Sequence, residues 1–235
     1  MKFQILMPVH NEADTIEYTI KEWYESCKQL NLNPTFIISE DGSRDNTLNK
    51  INELSEVYEI NLITSKNRKG YSRAVVDAIF SAEDGIVCCI DSDGQCDPKD
   101  LKKFMETLDK QPNVIISGVR SPRNDVLIRK VMSKSFGFLF KVIFKINMKD
   151  PSCPFVLGKK ANFDFVSNKI FLEQGFWWEF HARRVQGKVP VAEIKINHRM
   201  RQIGVSRVYS VKSIFKIVIK HIFGLFQLKC NLKLH

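Results

Sequence analysis

The stretch Ile86-Val87-Cys88-Cys89-Ile90-Asp91-Ser92-Asp93-Gly94-Gln95 is an apolar run that ends in two aspartates one residue apart. A short apolar run bounded by Gly and Pro predicts a buried strand. In an open parallel sheet, ligands bind just beyond the carboxyl ends of the strands. We therefore expect Asp91, Asp93 and Gln95 to lie at a ligand site.

Oxygen ligands in this pattern suit a hard divalent cation. Mg²⁺ and Mn²⁺ usually take one or two protein carboxylates, and water and substrate phosphates fill the other positions. The sequence therefore favours a metal site at Asp91, Asp93 and Gln95. The alternative is a solvated acidic turn before a helix, because Asp97-Pro98 suits the N-cap and the first position of a helix.

The composition favours one large domain with an anionic partner. The 235 residues are 44% hydrophobic and carry a formal net charge of +10. Such a charge suits nucleic acid, an acidic membrane surface or phosphorylated substrates. The six cysteines show no CxxC pairing, which argues against a zinc site or a disulfide scaffold. We expect no signal peptide and no spanning helix, because Met1 leads directly into a strand and no apolar run reaches ~18 residues.

Strand-like and helix-like segments alternate through the first half of the chain. Strands are predicted at Phe3 to Met7, with Pro8 as the stop, and at Thr35 to Ser39, Ile60 to Ile63, Ile86 to Asp91 and Val114 to Ser117. Helices are predicted over 14–30, 48–58, 71–82 and 101–108. This alternation predicts an α/β fold with a mostly parallel sheet flanked by helices.

Four polar segments each follow a predicted strand, so they should meet at one edge of the sheet. They are 8–12, 40–43, 69–70 and 91–93. Each alone is most simply a turn, but their joint placement indicates a binding site. The glycine-rich dinucleotide motif is missing after the first strand and no P-loop motif is present, so neither of those nucleotide sites is supported.

Five segments, in order along the chain, resemble the motifs of family 2 glycosyltransferases with a GT-A fold. They are Pro8 to Glu12, Glu40 to Asp45, Asp91 to Gln95, Ser117 to Arg120 and His198 to Arg207. The similarity covers essentially the whole chain and is greatest to dolichyl-phosphate mannose synthases and related polyprenyl-phosphate glycosyltransferases. We expect a GT-A (Rossmann-like) domain over 1–210, with an amphipathic interfacial segment inserted at 128–146, and a basic amphipathic C-terminal segment at 211–235.

The resemblance implies roles for residues at the edge of the sheet. The positions that match the family's donor nucleoside contacts are Pro8, His10, Glu12, Ser39 and Asp41. The positions that match its metal ligands are Asp91, Asp93 and Gln95, with Ser92 alongside the donor. The resemblance thus implies a nucleotide-sugar donor and Mg²⁺ or Mn²⁺ as the cofactor. His10 stands where the family usually has tyrosine.

Three arginines match basic residues that the family places near the donor. Arg120 matches an arginine near the donor phosphates or sugar, and Arg201 with Arg207 match a basic pair on a late loop that closes over the phosphates. The resemblance therefore implies catalytic roles for Asp93, Arg120 and Arg201. The segment that follows Asp150 departs from the family's usual pattern, which leaves the sugar open.

Two segments combine cations with a dense set of Phe, Ile, Leu and Val: 128–146 and 211–228. Basic amphipathic helices of this composition lie in the bilayer interface. The alternatives are core helices with a solvated lysine edge, or a docking face for a transmembrane partner. Arg129, Lys130 and Lys134 are candidates for holding an acceptor phosphate, with contact to lipid headgroups as the alternative.

The resemblance therefore implies a metal-dependent transfer of one sugar, with inversion, from GDP-mannose or a UDP-sugar to a membrane dolichyl or undecaprenyl phosphate. The protein is expected to be cytoplasmic and peripheral on the cytoplasmic face of a membrane. One alternative is a glycosyltransferase with a non-lipid acceptor such as a surface polysaccharide or glycan. Another is a non-catalytic GT-A-like adaptor that recruits a membrane partner. Nucleic acid is disfavoured as a partner, because carboxylates at the strand ends would repel its phosphates.

Overall fold

The computed structural model describes residues 1–121, 127–173, 175–200 and 211–232, without the side chains of 127–134 and 211–218. Within these residues the strands are β1 Lys2–Val9, β2 Pro34–Glu40, β3 Ile60–Thr64, β4 Gly85–Cys89, β5 Ile115–Arg120, β6 Val156–Lys159 and β7 Val191–Ile196. They form one sheet in the order β3-β2-β1-β4-β6-β5-β7. Every neighbouring pair is parallel except the two pairs that β6 makes with β4 and β5. The predicted mostly parallel α/β sheet is confirmed.

Helices flank this sheet. Their bounds are α1 Ile16–Gln29, α2 Thr47–Leu54, α3 Tyr71–Ser81, α4 Leu101–Lys110, α5 Leu127–Phe144, α6 Phe176–Gln186 and α7 Val211–Leu232. The first helix shows why the sequence folds this way. Ile16, Ile20, Trp23 and Cys27 recur every three or four residues and are all buried, so they form one apolar stripe against the sheet.

The core has one layer on each face of the sheet. Alternate residues of a strand point to opposite faces, so Ile5 and Met7 pack with α1 and α4, whereas Leu6 packs with α3 and α6. The apolar run at the start of the 86–95 stretch is buried on both faces in the same way. A strand covered on both faces reads as a continuous apolar run rather than an alternating one.

A third apolar cluster joins α5, α6 and α7. Phe140 and Phe144 of α5 pack with Trp178 of α6 and with Leu225 and Leu228 of α7. The two predicted amphipathic segments therefore each bury one stripe of apolar side chains.

The division of the chain into 1–210 and 211–235 stays a prediction. Among the described helices, none has the length and hydropathy that crossing a bilayer requires.

The prediction that Pro8 ends the first strand was wrong. β1 continues to Val9, and Pro8 pairs in register with Ser39 of β2. Proline lacks an amide donor, but its fixed φ is compatible with an extended chain near the end of a strand. The fourth strand ends at Cys89, two residues before the predicted Asp91, although the Ile90 amide still donates to the Leu6 carbonyl at 3.1 Å.

Candidate active site

The carboxyl ends of the parallel strands bring the predicted segments to one edge of the sheet. Val9 of β1 lies beside Glu40 of β2, and Leu6 lies beside Cys89 of β4. The chain therefore leaves all three strands at the same edge, where ligands bind in parallel sheets. The segments 8–12, 40–43 and 91–93 thus begin side by side.

Asp91 is half-buried two residues after the end of β4, and the Tyr71 hydroxyl donates to its Oδ1 at 2.6 Å. Burial and the neighbouring Asp93 carboxylate raise the pKa of Asp91 to about 7. The hydrogen bond from Tyr71 and the charge of Arg120 act in the opposite direction. A cation between two carboxylates that repel each other in this way would stabilise their charged forms.

The oxygen atoms around Asp91 could bind a divalent cation that also contacts a substrate. The backbone amide of Gln95 donates to Asp93 Oδ1 at 3.1 Å, and its side-chain Nε2 donates to the Arg199 carbonyl at 3.2 Å. Neither hydrogen bond uses the side-chain oxygen of Gln95. Within the part of the chain that the structure describes, no group of three His, Cys, Asp or Glu side chains could hold a metal ion by itself. A cation here would need Asp91, Asp93 and Gln95 together with water or phosphate oxygens, which is the usual arrangement for Mg²⁺.

Asp91→Asn is expected to stabilise the metal-free protein by roughly 4 kcal/mol at pH 8 and to have little effect near pH 4. A carboxyl whose folded-state pKa is raised costs stability as the pH rises above its unfolded value, and the full cost is present above about 7. Asparagine keeps an oxygen that accepts the Tyr71 hydrogen bond but carries no charge. Urea unfolding in EDTA at pH 4, 6 and 8 measures the difference, with the exposed Asp109→Asn as control. An equal difference at pH 4 and pH 8 would contradict this explanation.

A cleft of about 370 Å³ opens at the ends of β1, β2 and β3. It is lined by His10, Asn11, Gly42, Ser43, Arg44, Lys66, Asn67 and Arg68. His10 was predicted to contact the donor, whereas the three cations in this lining were not. Their charges favour an anionic ligand. Arg44 comes from the loop after β2, within the segment Glu40 to Asp45, whereas Lys66 and Arg68 both come from the loop after β3.

Asp41 lies behind this cleft and fixes one of its walls. Its carboxylate is buried and accepts hydrogen bonds from the amides of Lys69 and Gly70 at 2.5 and 2.9 Å. The next residue, Gly42, has a φ of 64°, and a Cβ there would lie 2.9 Å from the Arg68 nitrogen. Only glycine accommodates that backbone and that close approach.

Among the other predicted donor contacts, Pro8 and Ser92 are hydrogen-bonded to each other. The Ser92 hydroxyl donates to the Pro8 carbonyl at 3.1 Å, and the Thr19 hydroxyl donates to the Ser92 carbonyl at 3.3 Å. Glu12 accepts from the Thr15 hydroxyl at 2.7 Å. The remaining predicted residue of this group, Ser39, is fully buried beside Pro8.

Arg120 lies at the end of β5 and is paired with a buried aspartate. Its Nε and Nη2 donate to the Asp150 carboxylate at 2.7 and 2.8 Å, and Nη2 also donates to the Ser152 hydroxyl at 2.6 Å. The charge of Arg120 is still close enough to lower the pKa of Asp91. The structure thus brings Arg120 to the same edge as the two aspartates and holds it rigidly.

The segment after β7 also reaches this edge. His198 forms an isolated bridge with Cys96, and the Arg199 amide donates to the Gln95 carbonyl at 3.0 Å. The predicted phosphate-contacting residues that follow, Arg201 and Arg207, lie outside the described residues. Three further candidates are on α5, with side chains outside the described set: Arg129, Lys130 and Lys134.

Comparison with known proteins finds a matching family and several relatives of this chain. Residues 4–176 match the family model "Glycosyl transferase family 2". The undecaprenyl-phosphate 4-deoxy-4-formamido-L-arabinose transferase of Proteus mirabilis is 26% identical over 154 residues, which cover 65% of this chain and 47% of that protein. The dodecaprenyl-phosphate galacturonate synthase of Rhizobium johnstonii is 22% identical over 225 residues, 93% of this chain and 65% of that protein. This chain spans about half to two thirds of the length of these relatives.

Solved structures share the fold. Glucosyl-3-phosphoglycerate synthase from Mycobacterium tuberculosis, in complex with Mn²⁺, UDP-glucose and glycerol 3-phosphate, has a TM-score of 0.70 at 14% identity, over 97% of this chain and 79% of that chain. Mannosyl-3-phosphoglycerate synthase from Rubrobacter xylanophilus has a TM-score of 0.72 at 13% identity, over 97% of this chain and 74% of that chain. The family match contains β2, β3, β4 and β5 entirely and β1 from residue 4 onward. The chain belongs to glycosyl transferase family 2.

Proposed function

We propose that this protein transfers one sugar from a nucleotide-sugar, GDP-mannose or a UDP-sugar, to the phosphate of a membrane polyprenyl phosphate. The observation that carries the proposal is that the pair Asp91 and Asp93 lies at the same edge of the sheet as a cleft lined by Arg44, Lys66 and Arg68. The family match supports glycosyl transfer. The two relatives named for polyprenyl-phosphate products support a lipid-phosphate acceptor.

The donor is proposed to lie along the edge of the sheet. We expect the nucleoside to bind in the cleft that His10 lines, where the cations of the lining attract the diphosphate. Asp91, Asp93 and Gln95 would hold Mg²⁺ or Mn²⁺, which when bound supplies positive charge that stabilises the departing nucleoside diphosphate. The Asp150 carboxylate fixes the Arg120 guanidinium near the same phosphates, and Arg201 with Arg207 are proposed to close over them.

The acceptor supplies its own nucleophile. A phosphate monoester has a second pKa of about 6 and is mostly deprotonated at neutral pH, so it needs no strong general base. One of its oxygens forms a bond to the anomeric carbon, and the bond from that carbon to the donor's diphosphate oxygen breaks. The leaving diphosphate keeps the electron pair. Attack from the face opposite the leaving group inverts the anomeric carbon. Arg129, Lys130 and Lys134 are proposed to hold the acceptor phosphate.

Peripheral attachment to the cytoplasmic face of a membrane would bring the site to such an acceptor. The exposed side chains of α5 and α7 include six large apolar residues: Phe138, Leu139, Val142, Ile219, Phe223 and Phe226. Exposed lysines lie on the same helices at 141, 220 and 229, and the exposed Lys145 follows the last residue of α5. Apolar side chains among cations suit an anionic bilayer surface, where the rings insert and the lysines meet headgroups.

Replacing Phe138 and Phe223 together by serine is expected to lower binding to anionic liposomes at least tenfold. These rings are 68% and 63% exposed, so the change removes little from the core. Inserting one phenylalanine contributes roughly 1.5 to 3 kcal/mol. Vesicle flotation measures the binding, and raised salt should weaken it further. The matched control is Phe80→Ser, an exposed phenylalanine on α3. Equal flotation of the double variant and wild type would refute membrane insertion by these helices.

The proposed reaction is tested with radiolabelled UDP- and GDP-sugars and undecaprenyl or dolichyl phosphate in detergent. The matched acceptor is the corresponding polyprenol, which lacks the phosphate. Acid-labile label in the lipid fraction that requires the phosphate supports the proposal. Label that appears only in a water-soluble product would indicate a non-lipid acceptor. Absence of transfer from every donor would favour a non-catalytic adaptor.

A further inference from the structure

Two aromatic side chains that the reaction does not otherwise use form a relay to Asp91. The indole Nε1 of Trp177 donates to the Tyr71 hydroxyl at 2.8 Å, and that hydroxyl donates to Asp91 Oδ1 at 2.6 Å. The three residues come from α6, from the start of α3 and from the end of β4. They are separated in sequence by as many as 106 positions.

The direction of this relay follows from the chemistry of its groups. An indole can only donate, and a phenol donates one proton and accepts at its oxygen. The Tyr71 oxygen therefore accepts the hydrogen bond from Trp177, and its phenolic proton is donated to Asp91. Each bond polarises the next, so the bond to the carboxylate is stronger than a lone tyrosine would make it.

Packing fixes the far end of the relay. The Trp177 ring is buried and lies in edge contacts with Phe176 and Phe180, at centroid distances of 5.0 and 5.3 Å. The indole therefore cannot turn away from Tyr71 without repacking this cluster. Phenylalanine at position 71 or 177 would serve packing alone, whereas tyrosine and tryptophan add the two polar atoms that the relay uses.

We propose that Trp177 and Tyr71 hold the Asp91 carboxylate in one orientation, with Oδ1 tied to the tyrosine and Oδ2 available to the cation. Tyr71 is then a positioning residue for the metal site, and Trp177 acts through it. The inference rests on the proposed cation at Asp91. Without the hydroxyl, the carboxylate loses the hydrogen bond that orients it and must be ordered when the cation binds.

The test measures Mn²⁺ binding directly, as loss of the free-ion electron paramagnetic resonance signal, with UDP or GDP present. Tyr71→Phe is expected to weaken Mn²⁺ binding about tenfold, which is the scale of a hydrogen bond to a charged group. Trp177→Phe is expected to weaken it by a smaller factor. Because Trp177 acts through the hydroxyl, the double variant should bind no more weakly than Tyr71→Phe. Tyr24→Phe, a half-buried tyrosine on α1, is the matched control and should bind as wild type.

The outcomes separate this inference from the proposed function. If wild type binds no Mn²⁺ with either nucleotide, the metal site itself is wrong. If wild type binds and Tyr71→Phe binds equally well, the relay is a structural contact and the inference fails. If the losses in the two single variants add in the double variant, Trp177 does not act through Tyr71. A lower unfolding midpoint with unchanged Mn²⁺ affinity would likewise assign both residues to stability alone.

Discussion

Replacing Asp93 by alanine is expected to lower sugar transfer on the order of 10³-fold while the protein still folds. The charge stabilisation that a bound cation supplies is worth several kcal/mol in the transition state, and about 1.4 kcal/mol corresponds to a factor of ten in rate. Asp93 follows the end of β4, and its carboxylate accepts a hydrogen bond from the Gln95 backbone amide two residues away. Its loss should therefore disturb the local turn and not the sheet.

The matched control for Asp93→Ala is Asp109→Ala, which removes an exposed carboxylate from α4. It changes the net charge equally and should leave transfer near the wild-type rate. Initial rates with saturating donor and Mn²⁺ measure both variants, and circular dichroism checks their folding. Asp93→Ala that transfers within a few fold of wild type would show that this carboxylate does not hold the cation.

Asp150→Ala is expected to lower the free energy of unfolding by about 3 kcal/mol and to impair transfer. The side chains of Arg120 and Asp150 are only 12% and 6% exposed and share two hydrogen bonds. Removing one partner of a buried pair leaves the other charge without compensation. The guanidinium would also lose the carboxylate that fixes it near Asp91. Urea unfolding and initial rates on one preparation measure both effects.

The matched control for Asp150→Ala is Glu83→Ala, which breaks an ion pair with Lys2 whose side chains are both more than half exposed. Exposed pairs contribute little to stability, so its unfolding midpoint should stay at the wild-type value. If Asp150→Ala unfolds at the wild-type urea concentration, the buried pair does not support the site as described.

The sequence predicted well which segments meet at the edge of the sheet, because parallel strands all end at the same edge. Once Phe3–Met7 and Ile86–Asp91 are read as strands of one sheet, the segments after them must emerge together. The antiparallel strand β6 was not predicted. It is only four residues long, and its apolar residues show no period that separates a strand from a loop. It pairs with β4 and β5, which are distant in the sequence, and no local pattern indicates such pairing.

The relay from Trp177 through Tyr71 was missed for a similar reason. An aromatic residue at the start of a helix is most simply a core residue, and the hydrogen bond between the two side chains spans 106 positions. The amphipathic character of α5 and α7 was visible in their composition. Which rings are buried was decided by packing on Trp178, because Phe140 meets that indole while Phe138 stays exposed.

The most direct measurement is anomalous diffraction at the manganese edge from crystals grown with Mn²⁺ and UDP or GDP. The account predicts a peak within coordination distance, ~2 Å, of oxygens from Asp91 and Asp93, with the nucleoside beside His10. A bound nucleotide with no manganese peak at these aspartates, or a peak at a different place on the protein, would contradict it.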